Sequence, residues 1–129
     1  MNNFTKSLLA ISMAGVTAAA VAQPLTFQTY NPQSKGVFPV SATLISGDKN
    51  AILVDAQFST QDAQQLVQWV HKSGKQLQTI VITTGDPDYY FGLEPLVKAF
   101  PKAEVIATPK VAAHIAQTKD AKLKYWAPF

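Results

Sequence analysis

Two apolar stripes of helical period, separated by one β-branched run, set most of what this chain can fold into. Ala63, Leu66, Val67 and Val70 recur at offsets 3, 4 and 7, and Leu93, Leu96, Val97 and Phe100 repeat the same spacing. Each stripe would bury one face of a helix against a common core. Between them Thr79-Ile80-Val81-Ile82 is nearly continuous and apolar, the pattern of a buried central strand. Ser59 suits an N-cap, with Asp62 three residues on able to reach back toward it. Gly74 after His71-Lys72-Ser73 suits a helix stop. Pro95 is tolerable in a helix here because it falls in the first turn.

The flanks extend the alternation. Leu25 to Tyr30 alternates apolar and polar residues, as a half-buried strand does, and Asn31 to Gly36 carries turn residues. Val40 to Ile45 and Ala51 to Val54 read as two strands joined through Gly47-Asp48-Lys49-Asn50 as a hairpin. Glu104 to Ala107 is a further short strand. Thr108-Pro109 then opens a third helix as N-cap and N1, with Val111, Ala112 and Ile115 expected on its inner face. Strands alternating with amphipathic helices predict an α/β fold with a layered sheet.

The N-terminus reads as a secretory signal peptide spanning 1–22. One positive charge at Lys6 precedes the uncharged Leu8 to Ala22, which closes on the small-x-small pattern Ala20-Val21-Ala22 before Gln23. At 15 residues and rich in Ala, Ser, Thr and Gly, that stretch is short for a membrane anchor, which needs roughly 17–25. The expected product is periplasmic or secreted, with one domain over 23–129. The chain has no cysteine, hence no disulfide and no thiolate for catalysis or metal binding. Its formal charge of +3 comes from scattered lysines without arginine, unlike the clustered basic surface that nucleic acid requires. Leu123 to Phe129 ends on three aromatics, a surface that invites self-association or packing against sequence beyond it.

The central strand empties into Thr83-Thr84-Gly85-Asp86-Pro87-Asp88-Tyr89-Tyr90-Phe91-Gly92. With Leu53-Val54-Asp55 before the first helix, this order of strand, helix, strand and loop resembles the N-terminal half of the metallo-β-lactamase superfamily, from about Val37 to about Ile115. The resemblance implies half of an αββα sandwich, a mixed sheet with flanking helices. It also implies a site at the loop, where the family carries H-x-H-x-D-H and binds one or two metals, usually zinc, that activate water for hydrolysis. Carried over by position, the first His is Thr84 and the second is Asp86. The family aspartate is Asp88, the last His is Tyr89, and Asp55 is the strand-end aspartate that steadies the loop. Three of four ligand positions are therefore changed, while Asp55, Asp88 and Gly92 are kept.

Two carboxylates, a Thr hydroxyl and a Tyr phenol supply oxygen and no nitrogen. Zinc prefers His and Cys; oxygen donors suit Mg²⁺, Ca²⁺ or Mn²⁺, which want about six ligands, more than Asp86 and Asp88 provide. Three roles fit the residues: a structural turn with Asp side chains accepting backbone N–H bonds, an altered metal site on Asp86 and Asp88, and a metal-free acid–base site in which paired carboxylates share a proton, Asp88 acting catalytically. His71 and His114 have no second His within a helical turn, and His71 is placed where a helix dipole favours a cation. The expectation is an exported hydrolase-like protein with an altered first metal site and a small-molecule substrate, or a binding or truncated form of that fold.

Overall fold

The computed structural model describes residues 23–127; the expected export segment and the terminal Phe129 lie outside them. Five strands form one mixed sheet in the order β1 (Thr26–Tyr30), β2 (Ala42–Ser46), β3 (Asn50–Val54), β4 (Gln76–Ile82) and β5 (Glu104–Ala107). The β1–β2 and β2–β3 pairs are antiparallel, and β3–β4 and β4–β5 are parallel. The helices are α1 (Thr60–Lys72), a short turn α2 (Pro87–Tyr90), α3 (Leu93–Ala99) and α4 (Pro109–Trp126), with a 3₁₀ turn at Gln33–Lys35. This is the expected α/β architecture.

One face of the sheet carries the core. Ala42, Leu44, Ala51, Leu53, Leu77, Ile80 and Ile82 alternate inward along their strands and meet Leu66 and Val70 of α1 and Leu96 of α3. Helix α1 begins as its sequence predicts. The Asp62 N–H donates to Ser59 Oγ at 3.0 Å, and the Ser59 hydroxyl donates to Asp62 Oδ2 at 2.8 Å. The same carboxylate accepts from the Val37 N–H at 3.3 Å, which ties the β1–β2 connection to the helix start. Gly74 ends the helix at φ +68°, a left-handed conformation that lacks steric cost only for glycine.

Several expectations need correction. Strand β4 starts at Gln76 rather than Thr79, its register to β3 broken at Ala51/Ile52 so that Gln78 has no partner of its own. It is not covered on both faces: Val81 is only half-buried, and register sets it beside Val54 and Ile106 on a second apolar face. Phe27, Ile45 and Ile52 continue that face, with Phe27 66% and Ile106 47% exposed. The acidic segment is not all loop, because Pro87 pre-sets φ for the helical turn α2. The second stripe stops at Ala99, with Phe100 as C-cap and Val97 turned outward. On α4, Ala112 faces solvent while Val111 and Ile115 are half-buried. His114 lies in the first half of that helix.

Candidate functional site

The site is built where β3 and β4 end side by side. Asp55 follows β3 at φ +63°, a left-handed conformation that Asp tolerates better than most residues. Its N–H extends the parallel ladder to Val81 O at 2.8 Å. The turn aims its buried carboxylate at the next strand end, where Oδ1 accepts from the Thr83 N–H at 2.8 Å and Oδ2 from the Thr83 hydroxyl at 2.7 Å. Asp55 is therefore a clasp between strand ends, engaged on both oxygens. Two backbone bonds complete the frame: Ala56 N–H to Tyr89 O at 2.8 Å and Gly92 N–H to Gln57 O at 2.6 Å. A side chain at Gly92 would place Cβ 2.5 Å from Gln57 O and 2.8 Å from Ala63 Cβ, so only glycine allows this approach.

The motif positions lie along the loop so framed. Thr84 donates from its hydroxyl to Asp86 Oδ2 at 3.4 Å. Asp86 is exposed and takes the N-cap position of α2 without a capping bond from its side chain. Asp88 is half-buried in the first turn, and Tyr89 contributes its backbone to the Asp86 and Ala56 bonds. Tyr90 is buried, and its hydroxyl has no hydrogen-bond partner among the described residues. Its pKa is raised, first by burial and then by the Asp86 carboxylate, with Lys119 pulling the other way.

Helix α4 adds two side chains that the sequence reading did not place here. The Lys122 ammonium donates to Gly85 O at 2.6 Å and stands 3.9 Å from Asp86 Oδ1 and 3.4 Å from His114 Nε2. The His114 ring lies over Gly85 so closely that a Cβ there would collide with His114 Cδ2. The available signal is the half-buried stripe Val111, Ile115, Thr118, Lys122 and Trp126: a lysine inside such a stripe needs an acceptor at its tip. Beyond Lys122, Trp126 packs edge-on against Phe58 and Phe38 at 5.4 and 5.7 Å, and Phe58 stacks on Phe91 at 5.6 Å. One of the C-terminal aromatics is thus docked, whereas Tyr125 remains 68% exposed.

Comparison with known proteins assigns this frame. The family model of the metallo-β-lactamase superfamily matches residues 36–126. The chain belongs to that superfamily. It is 29% identical over 68 residues to the alkyl/aryl-sulfatase BDS1 of Saccharomyces cerevisiae, a match covering 51% of this chain and 10% of the sulfatase. The metallo-β-lactamase DIM-1, in a crystal exposed to ceftazidime, is 25% identical with a TM-score of 0.54, covering 74% of this chain and 43% of that one. The enzyme FIM-1 from Pseudomonas aeruginosa, in its mono-zinc form, shares the fold at 17% identity and a TM-score of 0.56, over 74% of this chain and 42% of its own. The chain therefore spans less than half the length of these metallo-β-lactamases.

Members of this superfamily bind zinc, but the residues here do not fit that ion. The loop offers Thr84, Asp86, Asp88 and Tyr89, oxygen donors only, and a lysine ammonium already stands beside Asp86. Among the described residues no group of three His, Cys, Asp or Glu is placed to hold a metal. Among the described residues His114 is the one imidazole near the loop, and its Nε2 faces the Lys122 ammonium.

Proposed function

We propose that this is an exported, hydrolase-like protein of the metallo-β-lactamase superfamily whose first metal site is altered, so that the loop binds rather than activates water through zinc. The observation that carries the reading is the Lys122 ammonium, bonded to Gly85 O and next to Asp86 in a loop that lacks three ligand histidines. A metal-activated water needs a fixed coordination shell, and a cation on the ligand loop opposes a second one by Coulomb repulsion. The protein should contain no stoichiometric zinc after purification without chelator. Esters, lactams and thioesters should show no turnover that depends on Zn²⁺, Mn²⁺ or Mg²⁺. Metal-dependent hydrolysis removed by chelator would defeat the reading.

A second reading keeps a metal. Asp88 is half-buried and its carboxylate makes no hydrogen bond to another described residue, which leaves it available to a hard ion shared with Asp86. Mn²⁺ or Mg²⁺ binding lost in the double variant Asp86→Ala, Asp88→Ala would favour this arrangement.

The apolar second face of the sheet, and a span under half of its structural relatives, support the view that the fold is a half-sandwich that functions with further sequence or a partner. The exposed Tyr125 and Leu123 support self-association through the C-terminal aromatics. Export rests on the residue pattern of 1–22, and mass spectrometry of the exported form should find Gln23 as its first residue.

A further inference from the structure

Where the β1–β2 connection passes the start of α1, a groove of about 520 Å³ opens. That volume suits a small molecule, and no residue of the acidic loop lines it. Tyr30, Gln61, Asp62 and Gln65 line it from β1 and α1, and Gln33 and Lys35 from the 3₁₀ turn. Asp62 is only 7% exposed, and its two carboxylate oxygens differ. Oδ2 accepts from the Ser59 hydroxyl at 2.8 Å and the Val37 N–H at 3.3 Å, whereas Oδ1 accepts from no described residue. Oδ1 is not sealed away, because the Tyr90 hydroxyl is the one enclosed side-chain atom without a partner among the described residues. A buried carboxylate with one free oxygen at a cavity wall is best satisfied by a charged donor. The groove is also set in advance. Asn31 accepts from the Gln33 N–H at 2.8 Å and donates to Pro39 O at 2.9 Å and Ser41 Oγ at 3.0 Å, which leaves less of the turn to be ordered by a ligand.

We propose that this groove binds a small organic ammonium ion. Its N–H groups donate to Asp62 Oδ1 and to the amide oxygens of Gln61 and Gln65, and the cation rests against the Tyr30 ring. Tyr30 and Asp62 lie within electrostatic reach of each other, since the carboxylate is the second cause, after burial, of the raised Tyr30 pKa. Lys35 opposes a cation, but it is exposed and forms no ion pair with Asp62. Water screens its charge, whereas that of Asp62 acts from buried surroundings of lower dielectric. The same buried charge turns away an anion. The site stands independently of whether the loop binds metal.

Butylammonium is the probe, with butanol as its neutral counterpart and butyrate as its anionic one, titrated into the purified protein. Trp69, whose ring stands 5.9 Å from that of Tyr30, reports by fluorescence, and amide chemical shifts locate the site. Butylammonium should bind saturably and more tightly than butanol, and butyrate should not bind. Asp62→Asn keeps the side-chain shape and an acceptor for Ser59 and Val37. It should weaken butylammonium about tenfold or more, the worth of a hydrogen bond to a charged group, and leave butanol unchanged. Tyr30→Leu should weaken butylammonium about threefold, while Tyr30→Phe, which keeps the ring, should bind it as the wild type does. Lys35→Gln should tighten it. Gln65→Trp, at an exposed helix position, should abolish binding without loss of helical signal, and it tests the site even if Asp62→Asn fails to fold. Absence of saturable butylammonium binding, or binding unchanged in Gln65→Trp or in a folded Asp62→Asn, overturns the proposal. Butanol or butyrate bound as tightly as butylammonium overturns its ammonium part.

Discussion

Helices α1 and α4 flank the same loop and are held in opposite ways. α1 has 13 residues and buries Asp62, Ala63, Leu66 and Val70, with a reciprocal cap at Ser59. α4 has 18 residues and buries none; the Lys122 contacts, the His114 ring over Gly85 and the packing of Trp126 hold it over the loop. The first helix is fixed by fully buried apolar area, the second by the half-buried Val111, Ile115 and Trp126 together with a few directed contacts. The family's scaffold positions, Asp55 and Gly92, sit on the α1 side, where burial leaves little freedom. Thr84, Asp86 and Tyr89, set by the resemblance at ligand positions, lie in the half-buried or exposed loop that α4 overhangs, where side chains can change without disturbing the core.

The largest expected effects fall on the α1 side. Gly92→Ala forces Cβ against Gln57 O and Ala63 and should cost about 3 kcal/mol or more, the range of severe overpacking. Leu66→Ala opens a cavity in the packed face and should cost roughly 2–5 kcal/mol. Asp55→Ala leaves the Thr83 N–H and hydroxyl without their acceptor and places a β-carbon residue less tolerant than Asp at positive φ. About 2–3 kcal/mol is expected, with Asp55→Asn losing less. Urea unfolding measures all three. On the other side, Lys122→Met should cost only about 1 kcal/mol. Its mark is local: hydrogen exchange along α4 should rise while α1 protection is unchanged. Equal loss of protection in both helices would erase the distinction between them.

What the sequence revealed divides along the same line. α1 was legible because local signals agree: Ser59 with Asp62, the stripe through Leu66 and Val70, and Gly74 at the stop all act within a few residues. The succession of strands and helices along the chain followed from the same alternation, and Asp55 was placed by the resemblance, which sets an aspartate at that strand end. The surroundings of the loop were not legible. Lys122 reaches Gly85 across 37 positions in the chain, and its place in the stripe from Val111 to Trp126 calls for an acceptor without saying which. His114 has no spacing partner, because what it meets is backbone at Gly85 rather than a second ligand. The single-sided burial of β4 was missed because a continuous apolar run looks the same whether one face or both are covered.

Tyr30 gives the finest test of the α1 side. It ends β1 with its ring 5.9 Å from that of Trp69 on α1. Its pKa is raised above the usual 10.0, first by burial and then by the Asp62 carboxylate. A folded-state pKa above the unfolded one means that the stabilising contribution is complete below pH 10 and is lost as pH rises through the folded value, since the unfolded chain ionises first. The wild type should therefore lose more of its urea midpoint than Tyr30→Phe between about pH 10 and pH 11, where an ordinary tyrosine titrates. Because Tyr30 is only partly buried the difference will be small, and it should vanish below about pH 9. If both proteins weaken equally through that window, neither burial nor the Asp62 carboxylate disfavours the Tyr30 phenolate in the folded state. The bond from Val37 would then be what chiefly joins the β1–β2 connection to α1.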